Sequence, residues 1–289
     1  MILFKENGRL GNQIFQYCGL RTIAKPGETL CLFGFEDLQS VFTGMDAEII
    51  NQSAKKYKRS IYYRLYSYAE KLAERNVVSF ITEDQGRNIL ETSALFHKIK
   101  MAKDVFLQSE SLFNADIAKR LSIKKNLYDK AKDLLTSLTN SSHPPVFVHV
   151  RRGDYLYWPD TNYPAVLPKK FYDDCIAEMK RRFENPYFIF TSDEPDYVKS
   201  AFSEIEPKYV SEQSVAMDFA LMSQCKGGIL SPSSLSWWTA YQVNKNSKNA
   251  LLLAPEYWIG HRKSQWYPKN IETSFICYRQ CEHSRIKLT

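Results

Sequence analysis

The chain has 289 residues, 44% apolar and 25% charged, the balance of a water-soluble globular protein with room for about two cores. It holds no run of about 18 apolar residues, so no membrane-spanning helix is expected, and MILFKENGRLGNQ lacks the basic start, apolar stretch and cleavage site of a signal peptide. With 39 Lys and Arg against 32 Asp and Glu the net charge is +7, which suits an anionic substrate or an anionic membrane face; without a basic–aromatic module it gives no support to nucleic acid as a partner.

In chain order, the pattern predicts a strand at 1–5, a loop at 7–12 and a helix from about 13 to 24, ended by Lys25-Pro26-Gly27. A second strand at 29–33 completes a βαβ unit. A tyrosine-rich helix follows at 61–75, then strands at 77–81 and 105–108 and a helix at 127–138. Residues 139–145, TNSSHPP, read as a linker of polar turn formers ending in two prolines. Beyond it come a strand at 146–150, a helix at 169–183, a strand at 187–191, a short helix at 195–202 and a strand at 208–210. A helix at 214–224, a strand at 228–231 and a helix at 235–244 close the series. Alternation on both sides of the linker predicts an α/β fold of two Rossmann-like, doubly wound domains, 1–140 and 141–289, facing a cleft.

Cysteines at 18, 31, 175, 225, 277 and 281 show no regular framework and read as cytosolic thiols. Cys277, Cys281 and His283 lack a second ligand pair, and no Asp-x-Asp pair occurs, so no metal site is expected.

VFVHVRRGDY at 146–155 is the most informative stretch. A short, β-branched apolar run suits a strand buried on both faces, and α/β sheets bind ligands beyond the carboxyl ends of such strands. Arg151 and Arg152 stand at that end, and their guanidinium forks match phosphate oxygens. Gly153 permits a tight turn, and His149 interrupts the apolar strand on the same face as Arg151. Solvated arginines after a strand are the plainer alternative. GRLGNQ at 8–13 joins the first strand to the first helix, whose amides favour negative charge; it is not G-x-G-x-x-G, so a nicotinamide cofactor is unsupported. SPSSLSWW at 231–238 repeats the strand–turn–helix geometry with hydroxyls in the turn, where simple helix capping is the alternative. Trp237 and Trp238 are expected to anchor that helix in the core.

Together, HVRRGD at 149–154, GRLGNQ at 8–13 and SSLSWWTAY at 233–241 resemble the motifs of the α-1,2-fucosyltransferases of glycosyltransferase family 11. MDFALMS at 217–223 resembles the family's helix with an aspartate and a leucine-x-serine ending. TSDE at 191–194 stands where related sequences carry a serine followed by acidic residues, and Pro255, Trp258 and Pro268 resemble the closing segment.

The resemblance implies a two-domain fold of the GT-B type and transfer of L-fucose, without metal or cofactor, from GDP-β-L-fucose to the 2-hydroxyl of a terminal galactose, with inversion. The second domain would hold GDP-fucose and the first most of a galactose-terminated oligosaccharide acceptor. Arg151 would neutralise the charge that builds on GDP, supported by Arg152. His149 and Asp218 look like the pair that reads guanine, with a buried structural pair as the alternative. Ser233, Ser234 and Ser236 would cradle phosphate, and Asn12 would reach the sugar or diphosphate from the other domain. Inversion needs an acceptor for the hydroxyl proton, and three remain open: Asp154, Asp160, or the departing phosphate itself. Acceptor choice is expected in the loops 34–60 and 155–168. The natural setting is a cytoplasmic enzyme of O-antigen or capsule synthesis, peripheral to the inner membrane face. Rival readings are a fucosyltransferase with another linkage or acceptor, and a non-catalytic GDP-sugar-binding protein; no carboxylate pair singles out glycoside hydrolysis.

Overall fold

The computed structural model describes residues 1–50, 56–75, 77–84, 88–92, 94, 96–139, 143–247 and 249–281. Lys55, residues 140–142 of the predicted linker and His283 lie outside them. The chain divides into two compact units, Met1–Lys124 with Lys269–Ile271, and Lys125–Pro268 with the segment from Glu272 onward.

The first unit contains β1 (Ile2–Lys5), α1 (Leu10–Ile23), β2 (Leu30–Phe33), α2 (Glu36–Val41), β3 (Phe42–Thr43) and β4 (Glu48–Ile50). It continues through α3 (Lys56–Glu74), β5 (Val78–Asp84), β6 (Asn88–Glu91), β7 (Phe96–Ala102), α4 (Ala115–Arg120) and β8 (Ser122–Ile123). Its main sheet has the order β4-β2-β1-β7-β5-β6, parallel except for β6. β1 and β2 are short apolar runs buried on both faces, as parallel strands under helices require. The segment 34–60 is not a single loop, because α2, β3, β4 and the start of α3 occupy most of it. Val105–Gln108 is not a strand; the central strand is β7, and the buried Lys100 within it is held by Glu91 at 3.1 Å and Glu28 at 3.7 Å.

The second unit holds α5 (Lys125–Leu138), β9 (Pro145–Val150), α6 (Lys169–Arg182), β10 (Tyr187–Ser192), α7 (Pro195–Ala201) and β11 (Lys208–Val210). Then follow α8 (Val215–Met222), β12 (Gly227–Ile229), α9 (Ser234–Asn246), β13 (Leu251–Pro255) and β14 (Cys277–Arg279). The strands form one parallel sheet in the order β11-β10-β9-β12-β13-β14. Counted within the unit this is 3-2-1-4-5-6, the doubly wound order whose direction reverses between β9 and β12. Val146, Val148, Val150, Phe188 and Phe190 pack against α6 and α7 on one face. Strand alternation turns Phe147 and His149 to the other face. There a Cβ at Gly228 would meet the Phe147 ring at 2.0 Å, so only glycine fits beside it.

The predicted boundary at 140/141 falls instead at Lys124/Lys125. α5 packs on α8, burying Ala131 and Leu135, and Gln224 Nε2 donates to Tyr128 O at 3.1 Å. The helix before the linker is therefore part of the second sheet's cover. Trp237 and Trp238 are buried, as expected of core anchors.

Candidate functional site

β9 ends at Val150, and Arg151 and Arg152 follow at the point where the winding direction reverses. Ligands of such sheets sit in the crevice opened there, because helices leave in opposite directions on the two sides. Ser231, just beyond β12, ties the two strand ends together. Its hydroxyl donates to His149 O at 2.9 Å and accepts from Arg151 N at 2.8 Å. That single proton being committed, the Tyr172 hydroxyl is the donor in its 2.6 Å contact with Ser231 Oγ.

The arginine loop is stapled from β10. Asp193 Oδ1 accepts from Arg152 N at 2.9 Å, and Oδ2 pairs with Arg151 Nη1 at 3.0 Å. Glu194 Oε1 accepts from Gly153 N at 3.1 Å, and Oε2 from Arg152 Nε at 2.9 Å. Arg151 Nη2 also pairs with Asp154, which is otherwise exposed. The Arg151 guanidinium lies over the Tyr155 ring at 5.4 Å, and Arg152 over Tyr197 at 3.6 Å. Gly153 has φ +22, and a Cβ there would meet Asp193 Oδ2 at 2.4 Å, so the staple closes only over glycine. Each guanidinium is held by carboxylate and ring, largely buried yet with edges left for an anion. Asp193, Glu194, Ser231, Tyr155 and Tyr197 had no assigned role in the sequence reading. The signal was present in TSDE, whose strand is the immediate neighbour of β9 in the 3-2-1 order.

The Ser231–Ser236 turn starts α9. Ser233 caps it, its hydroxyl accepting from Leu235 N at 3.3 Å, and Ser234 is the first helical residue. Tyr155 binds the turn to the arginine loop by donating to Pro232 O at 3.1 Å. Ser236 departs from the expected phosphate cradle: it is fully buried, and its one hydroxyl proton is shared between Ser231 O at 2.7 Å and Ser233 O at 2.9 Å. It shapes the turn. Ser233, Ser234 and the helix-start amides are what the turn offers an anion.

His149 and Asp218 are both buried but are not bonded to each other. Asp218 Oδ1 accepts from Ser211 Oγ at 2.5 Å, and His149 Nδ1 has no partner. His149 pairs in register with Thr191, whose hydroxyl contacts Met222 Sδ of α8 at 3.1 Å, so His149 and Asp218 belong to the same side of the sheet. Burial, and secondarily the Arg151 charge, pushes the imidazole down to about 3, so it is neutral. Burial pushes the Asp218 carboxyl up to about 6 against the opposing Ser211 bond. A buried imidazole nitrogen without a partner and a half-satisfied carboxylate cost stability that a ligand with N–H groups would restore. Asp160 stands apart from the arginine cluster in its bonds, Oδ1 accepting from Asn162 N at 2.8 Å in a local turn.

In the first unit, GRLGNQ occupies the corresponding reversal, between β1 and β7. Asn12 Oδ1 accepts from Gln108 Nε2 at 2.7 Å, and Gln16 Nε2 donates to Asn7 O at 2.7 Å. Gly8 has φ +96, and a Cβ there would meet Asn12 Nδ2 at 2.2 Å. Glu6, at the end of β1, accepts from Gln13 Nε2 at 2.6 Å, and burial together with Glu36 and Asp37 raises it to about 7. Sequence pattern gave no hint of it, because its shift comes first from burial and then from acidic residues thirty positions away.

Two α/β units, each built on a largely parallel sheet, make the fold GT-B-like. POFUT1 in complex with GDP-fucose is structurally similar, with TM-score 0.55 and 14% identity over 84% of this chain and 94% of that one. Fucosyltransferase NodZ from Bradyrhizobium gives TM-score 0.51 at 13% identity, over 84% and 92%. Identities this low speak for the fold alone. The sequence profile of Glycosyl transferase family 11 matches residues 2–259, and the chain belongs to that family. An α-1,2-colitosyltransferase of Escherichia coli is 32% identical over 142 residues, 47% of each chain. A galactoside α-(1,2)-fucosyltransferase 2 of Rattus norvegicus is 25% identical over 251 residues, 83% of this chain and 66% of its own. The first of these matches thus spans about half the length of the curated relative.

Proposed function

We propose that this protein is a metal-independent, inverting galactoside α-1,2-fucosyltransferase that uses GDP-β-L-fucose. The observation that carries the reading is the Arg151–Arg152 pair, stapled by Asp193 and Glu194 at the β9–β12 reversal beside the α9 N-terminus. In the step proposed, the C1–O bond to the β-phosphate breaks ahead of bond formation, and the 2-oxygen of a terminal galactose then bonds to C1 of the fucosyl cation from the opposite face. The bonding pair leaves with GDP, and its charge meets Arg151 and the helix-start amides. Asp154 pairs with Arg151 and Asp160 Oδ1 with its own turn, which favours the departing phosphate among the three candidate acceptors of the proton, reached once the ion pair has formed. Asp218 and His149 read the guanine edge.

The test is GDP release from GDP-fucose with lactose, lacto-N-biose and galactosyl-N-acetylgalactosamine, against GDP-mannose and UDP-galactose. Release from GDP-fucose that needs a galactoside is expected, with Asp160→Asn turning over close to wild type; loss of turnover in Asp160→Asn with GDP binding intact would make Asp160 the base. Identity to the colitosyltransferase favours a second reading, in which the donor sugar is colitose, an L-fucose lacking its 3-hydroxyl. The matching donor in the same assay separates the two.

The same reading puts the protein at an anionic membrane face, where it would meet O-antigen or capsule precursors. No helix among the described residues is long and apolar enough to cross a membrane. Support comes from the +7 charge and from α3, which exposes Ile61, Leu65 and Tyr68 on one stripe with Arg64, Lys71 and Arg75 beside it. Salt-sensitive sedimentation with anionic but not neutral vesicles is expected; indifference to lipid charge contradicts it.

A further inference from the structure

The loop between the arginine motif and α6 turns aromatic rings outward. Tyr157 is 65% exposed, Trp158 40%, Tyr163 42% and, from the C-terminal segment, Tyr267 51%. Clustered exposed rings of this kind mark a binding surface, since their burial elsewhere would favour the fold. The loop is fixed. Ala165 N donates to Trp158 O at 2.8 Å and Val166 N to Tyr155 O at 3.1 Å, closing it on itself. Arg262 Nε donates to Pro164 O at 2.8 Å, and the buried His261 Nε2 lies 3.2 Å from Ala165 O. Burial lowers the Arg262 pKa, so a charged side chain is spent on anchoring this loop.

The rings are also contiguous with the arginine site. Arg151 stands over Tyr155, Tyr155 lies 5.4 Å from Trp158 at 30°, and Trp158 lies 6.4 Å from Tyr267. Tyr155 is fixed by its bond to Pro232, so the exposed end of the chain of rings begins at Trp158. We infer that Trp158 and Tyr267 form a subsite for the acceptor glycan, which takes the apolar face of a pyranose ring. A galactopyranose gathers its C3, C4 and C5 hydrogens on one face, and polarised C–H groups favour the negative face of an aromatic ring. Its hydroxyl edges stay in water. The assignment builds on the reading of the arginine loop as the donor site and names where the second substrate rests. A lipid surface is the competing occupant of exposed rings, but it gives no reason for the rings to run unbroken to the guanidinium.

The experiment measures binding of a galactose-terminated oligosaccharide by saturation-transfer NMR and of GDP by calorimetry, on wild type, Trp158→Ala, Trp158→Phe and Tyr267→Ala. Expected are a loss of oligosaccharide affinity of about tenfold in Trp158→Ala, recovery in Trp158→Phe, and unchanged GDP affinity throughout. Oligosaccharide affinity that survives both alanine variants overturns the inference, as does GDP affinity falling in parallel. Loss of anionic-vesicle binding in Trp158→Ala with oligosaccharide affinity intact overturns it in favour of a membrane patch. A wild-type protein that binds the oligosaccharide through Trp158 but not GDP sinks the donor reading and keeps the subsite.

Discussion

Asp218 and His149 are buried titratable groups on the same side of one sheet, yet pH acts on them in opposite ways. The imidazole is held neutral down to about 3, so it carries no charge change in the physiological range. The carboxyl titrates near 6, raised by burial. For the free protein, the raised value means that ionised Asp218 costs stability above pH 6, and the cost is relieved as pH falls through 6 toward the ordinary carboxylate range. For a guanine complex the sign reverses, because only the ionised carboxylate accepts two N–H groups. GDP affinity is therefore predicted to fall below pH 6, by up to about tenfold per pH unit. Calorimetry from pH 5 to 8 checks this: Asp218→Asn should flatten the profile, and His149→Gln should leave its midpoint in place. A step that persists in Asp218→Asn removes the guanine role. The residue types of this pair were legible in the sequence, but their separate bonding was not, since Ser211 reaches Asp218 from the end of β11.

At the scale of elements, the arginine loop is the product of two neighbouring strand ends. β9 supplies the guanidinia and β10 the carboxylates that aim them, and register places Ser192 against Val150 so that the following residues meet. Asp193→Asn is predicted to lower kcat about tenfold with a smaller change in donor KM, because a misaimed guanidinium still attracts phosphate. Gly153→Ala should give the same split, since its Cβ displaces Asp193 Oδ2. Equal losses in kcat and donor affinity would instead make Asp193 part of the binding surface. β9, β10 and β12 were readable as short, mainly apolar runs between turn formers, whereas β13 and β14 were not predicted. Nor was β7, because Lys98 and Lys100 interrupt its pattern and the Lys100 charge is neutralised by Glu28 and Glu91, which only the folded sheet brings to it. Val105 and Leu107 read as a strand because they are apolar; they are indeed fully buried, but Asp104 and Leu107 take positive φ, which no strand sustains.

For the molecule as a whole, the two-unit α/β architecture followed from alternation of elements, and the boundary did not, because α5 is an amphipathic helix whose partner α8 lies some ninety residues further on. The same long-range closure explains the candidate site: HVRRGD, TSDE and SPSSLSWW are far apart in sequence and become one site only when β9, β10 and β12 lie side by side. Calorimetric titration of wild type and Arg151→Ala with GDP, with UDP as control, checks that convergence. Wild type is expected to bind GDP and not UDP, and Arg151→Ala to weaken GDP by about ten- to a hundredfold while keeping its fold. Wild type that binds no GDP, or an Arg151→Ala variant that binds it as tightly, would contradict the placement of the donor at the β9–β12 reversal.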